Sequence, residues 1–498
     1  MTDYKTKKIS QDIKFSGTQK SKIFAEIGLK CGVEIHQQLD THKLFCKCPS
    51  ELRLDTPDVI AKRRLYAVAG ETGKIDIAAA YEESKKREYI YEAYSDTTCE
   101  IELDESPPRY VNHEALRIAL QISFLLNAKP LNVTQVMRKT VINGSNTSGF
   151  QRTMLIARNG YVTVNNKKIG IESIGLEEDA ARRVAETKNS VTFRLDRLGI
   201  PLVEVSTSPD IANPEEARIV ALKIGEILRA CKVKRGLGTI RQDVNLSIAG
   251  GARTEIKGVQ EPGLIAKTIE KDIERQLSMI EKNEKIEKTV RNALADGNSK
   301  FLRPLPGEAR MYPETDLPLV KISEKELEEI KNNLPELKES IVARIEEKIK
   351  NPEIIKELIS ENKVELFEEL SEIANPEIVA KTITLTIKSI EAHEKISTEK
   401  ITKEVLEKIF KALNEKKIIE SSIEFVLTEI CKGQTIDNAL AKFKSVEINQ
   451  EDIEKDIQNI IDNNKGAPFN ALMGHAMAKL KGKADGKKIA EILKKLAG

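Results

Sequence analysis

Three stretches of the sequence set ligand-type side chains two residues apart: Glu34 and His36 in VEIHQQ, Asp243, Asn245 and Ser247 in RQDVNLS, and Glu255 and Lys257 in TEIKG. In an extended strand this spacing sends both side chains to one face. Glu204 is a further carboxylate, flanked by Val203 and Val205, and Glu177, Glu178 and Asp179 crowd together at the opening of EEDAARRVAE. That opening reads as a helix start, where the helix dipole tolerates anions. Any one of these carboxylates alone is an ordinary strand residue facing water, and His36 alone an ordinary strand histidine. Taken as a set, several acids with one imidazole fit a hard-cation site, because Mg²⁺ takes oxygen ligands and keeps waters that phosphates displace.

Other groupings carry less. Cys46-Lys47-Cys48 with Cys99 offers part of a zinc site, but no fourth ligand is evident and the spacing is not that of paired CxxC motifs, so buried or free thiols are expected. NGSNTSGFQR (143–152) is rich in small donors and glycine and runs to Arg152; it suits an anion cradle, although on composition alone it reads as a plain loop. GxGxxG and GxSxG are absent.

The elements that must position these groups fall into distinct parts. Nineteen of 26 glycines precede residue 301, and none lies between Glu308 and Lys432, so a turn-rich part is followed by a helical one. Runs such as GLKCGVEIHQQL, NGYVTVNNKKIGIESIG, SVTFRL, IPLVEVST and DVNLSIAGGARTEIKGV read as strands and hairpins. Residues 113–128 and 214–231 carry apolar residues at helical spacing, which makes this part α+β. FLRPLPGEARMYPETDLPLV (301–320) is proline-rich and expected to be irregular, and the twenty polar residues before it, 281–300, look helix-like. Beyond it, Ser323 with Glu326 forms a capping box, while Asn351-Pro352 and Asn375-Pro376 each place an N-cap before an N1 proline. Leu337, Ile341, Val342, Ile345 and Ile349 line one face of a helix in a small bundle.

Net charge is +2 over 498 residues, which excludes a globally basic nucleic-acid coat protein and an acidic disordered solubiliser. No apolar run approaches the roughly 18 residues of a membrane span. The polar N-terminus lacks the apolar middle of a signal peptide, and six scattered cysteines do not make a disulfide scaffold. A cytoplasmic chain with reduced thiols and no membrane partner is expected. Trp is absent and aromatics are few, so any RNA contact should be electrostatic or shape-based. The neutral total conceals a gradient: residues 465–498 hold eight lysines against Asp485 and Glu491. A lysine-rich solvated helix pair and a phosphate-backbone contact explain this tail equally well.

Seven motifs in order, GLKCGVEIHQQLDTHKLFCKCPSEL, YSDTTCEIELDESPP, NGSNTSGFQRT, GLEEDAARRV, RLDRLGIPLVEVSTSPDI, KRGLGTIRQDVNLSIAGGARTEIKGVQE and FLRPLPGEARMYPETDLP, resemble the E subunit of the archaeal glutamyl-tRNA(Gln) amidotransferase. That family is related to the B-type component of the three-subunit enzyme. The likeness begins near residue 26 and reaches the C-terminus, where NNKGAPFNALMGHAMAKLKGKADGKKIAEIL is similar to a tRNA-binding tail domain. The resemblance implies an N-terminal arm (1–25), a mixed, largely antiparallel cradle-shaped kinase domain (26–320), a helical domain (321–395) and an α-helical tail (396–498). It implies phosphorylation of the γ-carboxyl of Glu-tRNA(Gln) by ATP with Mg²⁺, followed by amidation. Matching the family's positions points to Glu34, His36, Glu177, Glu178, Glu204, Asp243 and Glu255 as metal ligands, with Glu177 and Glu178 not separable. Glu34, His36, Glu204, Asp243 and Glu255 are the catalytic set. Arg138, Lys139, Ser145 and Arg152 are assigned to nucleotide binding, and Lys479, Lys481 and Lys483 to tRNA. Since no amidase nucleophile stands out, ammonia must come from a partner, implied to be the asparaginase-like D subunit in a heterotetramer of two D and two E subunits, through a water-poor passage.

One departure from the family pattern is visible. The E subunit commonly carries an inserted domain similar to part of aspartyl-tRNA synthetases before the FLRPLPG segment, and the residues 281–300 in that place are too few to form a domain. Two other readings remain at this stage: a B-type component acting on Glu- or Asp-tRNA with an amidase partner, and a tRNA-binding protein without catalysis.

Overall fold

The computed structural model describes residues 23–70, 73–307, 310–443, 450–464, 467–480 and 486–497. Most of the expected N-terminal arm, with Lys481 and Lys483, lies outside the described residues. The chain forms two compact units, 1–337 and 338–498.

The first unit is built on β-strands, numbered along the chain. They are β1 (Lys30–Gln38), β2 (Val59–Arg63), β3 (Glu88–Ala93), β4 (Lys129–Pro130), β5 (Val133–Thr134), β6 (Met137–Thr140), β7 (Phe150–Val164), β8 (Lys167–Glu178) and β9 (Arg182–Glu186). They continue with β10 (Ser190–Arg194), β11 (Pro201–Thr207), β12 (Ile240–Ser247), β13 (Thr254–Lys257), β14 (Thr289–Ala293), β15 (Ser299–Pro304), β16 (Met311–Pro313) and β17 (Val320–Lys321). Eleven of them make one sheet, ordered β15-β14-β13-β12-β1-β11-β8-β7-β6-β16 with β4 against β7. It is antiparallel except for the β13–β14 pair. A second sheet runs β2-β3-β10-β9.

Alternation along the central strands decides which face is which. Cys31, Val33 and Ile35 of β1, Val203 and Val205 of β11, Val244 and Leu246 of β12, and Ile256 of β13 are all buried in one apolar core. Three helices supply the other half of that core: α1 (His113–Leu125), α2 (Pro214–Ala230) and α3 (Pro262–Glu281). In α2, the Asn213 side chain caps the Glu216 amide at 2.9 Å, Pro214 occupies the first turn, and Ala217, Val220, Ala221, Ile224 and Leu228 form the buried stripe. Each fully buried Val, Ile or Leu contributes roughly 1.5–3 kcal/mol. A one-residue slip of β1 would lose Val33 and Ile35, with Cys31, from the core and bury Glu34 and His36 instead, so its register is firmly specified.

Two expectations fail here. The polar residues 281–300 are not helical beyond Glu281: β14 and β15 form a hairpin on the sheet edge. Its turn is closed by the Leu294 amide on the Asn298 carbonyl at 2.8 Å, with Gly297 at φ +85°. Asp296-Gly297 supplies the two-residue hairpin signal in this polar stretch. The 301–320 segment likewise holds most of β15, all of β16 and the start of β17; Pro304 and Pro313 each end a strand.

The second unit is helical. Ser323 at the end of the first unit, and Asn351 and Asn375 in the second, cap helices as the sequence requires. Ile345 and Ile349 enter a core that also holds Phe367, Ile383, Phe410 and Leu427, whereas Leu337 packs against the core of the first unit. Three further helices, Gln450–Asn463, Phe469–Lys479 and Gly486–Ala497, share a separate core of Ile457, Leu472, Ala476, Ile489 and Leu493.

Candidate functional site

Strand register brings the acidic residues together. Glu34 of β1 lies opposite Asp243 of β12, and His36 lies opposite Glu204 of β11. Glu204 in turn pairs with Gly175 of β8, which has no side chain to crowd it, and Glu177 follows two residues along. Glu255 of β13 pairs with Asn245 of β12. Paired residues project to the same side of a sheet. All six therefore stand on the face opposite the apolar core, where they line a cleft of about 530 Å³.

Within the cleft they form two groups. His36, Glu177 and Glu204 place their donor atoms within 4.8 Å of one another, as do Glu34, Asp243 and Glu255. His36 Nε2 is 3.5 Å from Glu204 Oε2, and Lys139 Nζ pairs with Glu177 and reaches Glu204 at 3.6 Å. Burial alone would raise the Glu204 pKa, but Lys139 and His36 hold it well below the usual carboxylate range. Burial also opposes charging of His36, and Glu204 reverses this and raises its pKa. In the second group Lys257 Nζ lies 2.8 Å from Asp243 and 2.5 Å from Glu255, and the Gly258 amide donates to Asp243 at 3.0 Å. Glu34 accepts from the Asn245 side-chain amide at 2.9 Å and has Arg253 at 4.0 Å; burial, with repulsion from Glu204 and Glu255, pushes its carboxyl up to about 7.

The structure separates Glu177 from Glu178. The expected helix start is absent, because β8 continues through Glu178 and pairs with β11, and after a short turn Arg182–Glu186 forms β9. Sheet pairing overrides the helical tendency of EEDAARR. Alternation then aims Glu177 into the cleft, while Glu178 turns away to meet Arg152 at 3.3 Å. Of the four residues assigned to nucleotide, Lys139 alone lines the cleft. Arg138 and Arg152 grip the fully buried Glu314, and Ser145 bonds to Asn143 and Asn146.

Several cleft residues escaped the sequence reading. Arg241 faces the site beside Asp243 and is fastened by the buried Asp179 at 2.8 Å, which also accepts from Gln38 at 2.6 Å. Arg303 and Arg310 come from the segment read as irregular. Burial and the neighbouring charge of Arg310 hold Arg303 below the usual guanidinium range, and Arg310 Nε is buried with no hydrogen-bond partner among the described residues. The one available signal was arginine in a proline-bounded loop, which does not say where the loop closes.

Residues 29–328 match the GatB/GatE catalytic domain, and residues 365–496 match the GatB domain. The chain is 37% identical to the glutamyl-tRNA(Gln) amidotransferase E subunit of Methanocaldococcus jannaschii, over 95% of this chain and 99% of that protein. The chain belongs to the family of glutamyl-tRNA(Gln) amidotransferase E subunits. The E subunits of Methanococcus maripaludis and Thermococcus gammatolerans are each 35% identical over 95% of the chain and 98% of their own length. The alignment to the first relative spans 622 positions against 498 residues here, so that relative carries residues this amidotransferase component lacks.

As a ligase-type amidotransferase component, the chain has a donor set that suits a hard divalent ion: five cleft carboxylates and one imidazole, in two groups. Three carboxylates share the ammonium of Lys257 and the more distant guanidinium of Arg253, 4.0 Å from Glu34, and Glu34 still titrates above its ordinary value, which is the electrostatic mark of a site short of positive charge. In the C-terminal helices Lys479 pairs with Asp456 at 3.0 Å and stays half-exposed. Among the described residues no helix is long and apolar enough to cross a membrane.

Proposed function

We propose that this chain is the catalytic component that converts misacylated Glu-tRNA(Gln) to Gln-tRNA(Gln) with ATP, in the cytoplasm, within a heterotetramer of two such chains and two asparaginase-like D subunits. A carboxylate is a poor acyl donor, because the group expelled would be an oxide. Transfer of the γ-phosphoryl group of ATP to the glutamyl γ-carboxylate, with release of ADP, makes an acyl phosphate. Ammonia from the asparaginase-like partner attacks its carbonyl carbon, inorganic phosphate leaves, a proton is shed, and the amide remains.

The observation that carries this reading is the convergence of both carboxylate groups on one cleft whose wall also holds Arg303 and Arg310. The side chains of Glu34, Asp243 and Glu255, and of His36, Glu177 and Glu204, would hold Mg²⁺, which neutralises charge on the phosphoryl group in transfer. Lys139, Arg303 and Arg310 present fixed cations to the phosphates, and these need no reorganisation as charge develops. Arg138, Arg152 and Glu314 keep β6, β7 and the β16 segment together, so that Lys139 points inward. The tail domain, 396–498, grips the tRNA backbone through Lys479, Lys481 and Lys483.

The test is reconstitution: the chain, an asparaginase-type partner, ATP, Mg²⁺, Asn and Glu-tRNA(Gln) are incubated, and the aminoacyl group is released and identified. Gln-tRNA(Gln) is expected. Unchanged Glu-tRNA(Gln) while the partner releases ammonia defeats the proposal.

A further inference from the structure

The wall of the cleft that carries Arg303 and Arg310 is tied to a buried carboxylate with no part in the chemistry so far described. Arg303 lies near the end of β15 and Arg310 immediately before β16, so the two flank the connection between these strands. Neither side chain has a hydrogen bond or an ion pair among the described residues. Arg310 repels both Arg303 and the ammonium of Lys139. Two unpaired guanidiniums gathered beside a lysine suit an anionic ligand with several oxygens, as a phosphate chain is.

Behind the arginines stands Asp76. It is buried at the start of the helix Ile77–Glu83, where its Oδ2 accepts from the Ala78 and Ala79 amides at 3.0 Å each. Its Oδ1 accepts from the Gly307 amide at 2.9 Å, a bond that joins residues 231 apart in the chain. Gly307 and both arginines line the cleft, while Asp76 and the same two arginines line a small chamber next to it. The helix is itself set against β15, with Tyr81 meeting Phe301 edge to face at a ring separation of 6.2 Å.

We propose that Asp76 is a positioning residue for nucleotide binding: its bond to Gly307 fixes the connection between β15 and β16 so that Arg303 and Arg310 face the phosphates, an inference that rests on the reading of the cleft as an ATP site. Capping alone does not call for a carboxylate, because one side-chain oxygen satisfies the first amides of a helix, as Ser and Asn caps show. The second oxygen of Asp76 goes instead to a distant backbone amide, and an ionised acceptor makes that bond a strong one. Few donors are available to hold this stretch. Pro304 and Pro306 have no amide hydrogen, and the Leu305 amide bonds the Lys288 carbonyl at 3.2 Å, so Gly307 offers the next backbone donor. Without its acceptor that amide turns to water, and the arginines on either side lose their aim.

The experiment separates cap from tether. Asp76→Asn keeps one oxygen for the two helix amides and turns an NH₂ group toward Gly307; Asp76→Ser also caps the helix, but its hydroxyl is too short to reach Gly307. Each variant is assayed in the full chain with its ammonia-supplying partner, as Glu-tRNA(Gln)-dependent ADP release against ATP concentration, and its thermal unfolding is followed in parallel. Both should raise the KM for ATP about tenfold, the worth of one charge-assisted hydrogen bond. Both should leave kcat and the KM for Glu-tRNA(Gln) within about twofold and unfold close to the unmodified chain. If one variant fails to fold, the other decides. An unchanged KM for ATP overturns the proposal, and so does a lowered one, which would mean that the carboxylate acts on the arginines through its charge alone. Arg303→Gln and Arg310→Gln distinguish the two failures: a raised KM for ATP in these with none at Asp76 removes the positioning role only, whereas no change in any variant removes the reading of the arginine wall as well.

Discussion

Lys257 stands where a cation is needed, and its removal tests the reading of the cleft. Its ammonium is 2.8 Å from Asp243 and 2.5 Å from Glu255, and Glu34 completes a group of three carboxylates. At an effective dielectric of about 20, each contact is worth roughly 6 kcal/mol before desolvation is subtracted. Breaking a buried pair by deleting one partner typically costs about 3–5 kcal/mol net. The lysine is 33% exposed, so Lys257→Met should fall at the low end, about 3 kcal/mol, in metal-free buffer. Three carboxylates left with only the guanidinium of Arg253, 4.0 Å from Glu34, should then bind Mg²⁺ more tightly. A ligand at about 100 times its Kd stabilises by roughly 2.7 kcal/mol, so millimolar Mg²⁺ should restore most of the loss while moving the unmodified chain less. Calorimetric unfolding of both proteins, with and without Mg²⁺, gives the comparison. If Lys257→Met unfolds like the unmodified chain without Mg²⁺, or if Mg²⁺ stabilises both equally, the lysine is not standing in for a bound cation and the argument collapses.

Three further outcomes are expected. Glu204→Ala and Asp243→Ala should each abolish Glu-tRNA(Gln)-dependent ADP release and leave tRNA binding, measured by filter retention, largely intact; weakened tRNA binding with normal ADP release would contradict the assignment. Glu314→Gln should cost about 3 kcal/mol at neutral pH, because Arg138 and Arg152 lose a buried anion. Burial raises the Glu314 pKa, but the two guanidiniums and the Asp316 amide bring it below its ordinary value, so its stabilisation is present above about pH 4.3 and is lost as pH falls through the folded value. Denaturant midpoints of Glu314→Gln and the unmodified chain should therefore converge in acid. Neutralising Lys479, Lys481 and Lys483 together should weaken tRNA binding and flatten its salt dependence. Lys479 alone should change the slope little, because Asp456 already engages it.

What the sequence determined by itself was everything with a local period. Glu34 and His36, Asp243 and Asn245, and Glu255 and Lys257 were legible as same-face pairs because a pleated strand repeats every two residues whatever lies beside it. The caps at Ser323, Asn351 and Asn375 were legible because they act across three residues. The tertiary structure decided which strands are neighbours, and with that which acids meet. Glu204 reaches His36 and Asp243 reaches Glu34 only through pairings across long stretches of chain, and Glu177 parts from Glu178 only because β8 pairs with β11. Arg303 and Arg310, and Glu102 beside the three cysteines, come from loops whose closure no short window encodes. Side-chain direction along a strand follows from the backbone geometry of adjacent residues, whereas the charge balance of a site is a sum over groups brought together by non-local packing.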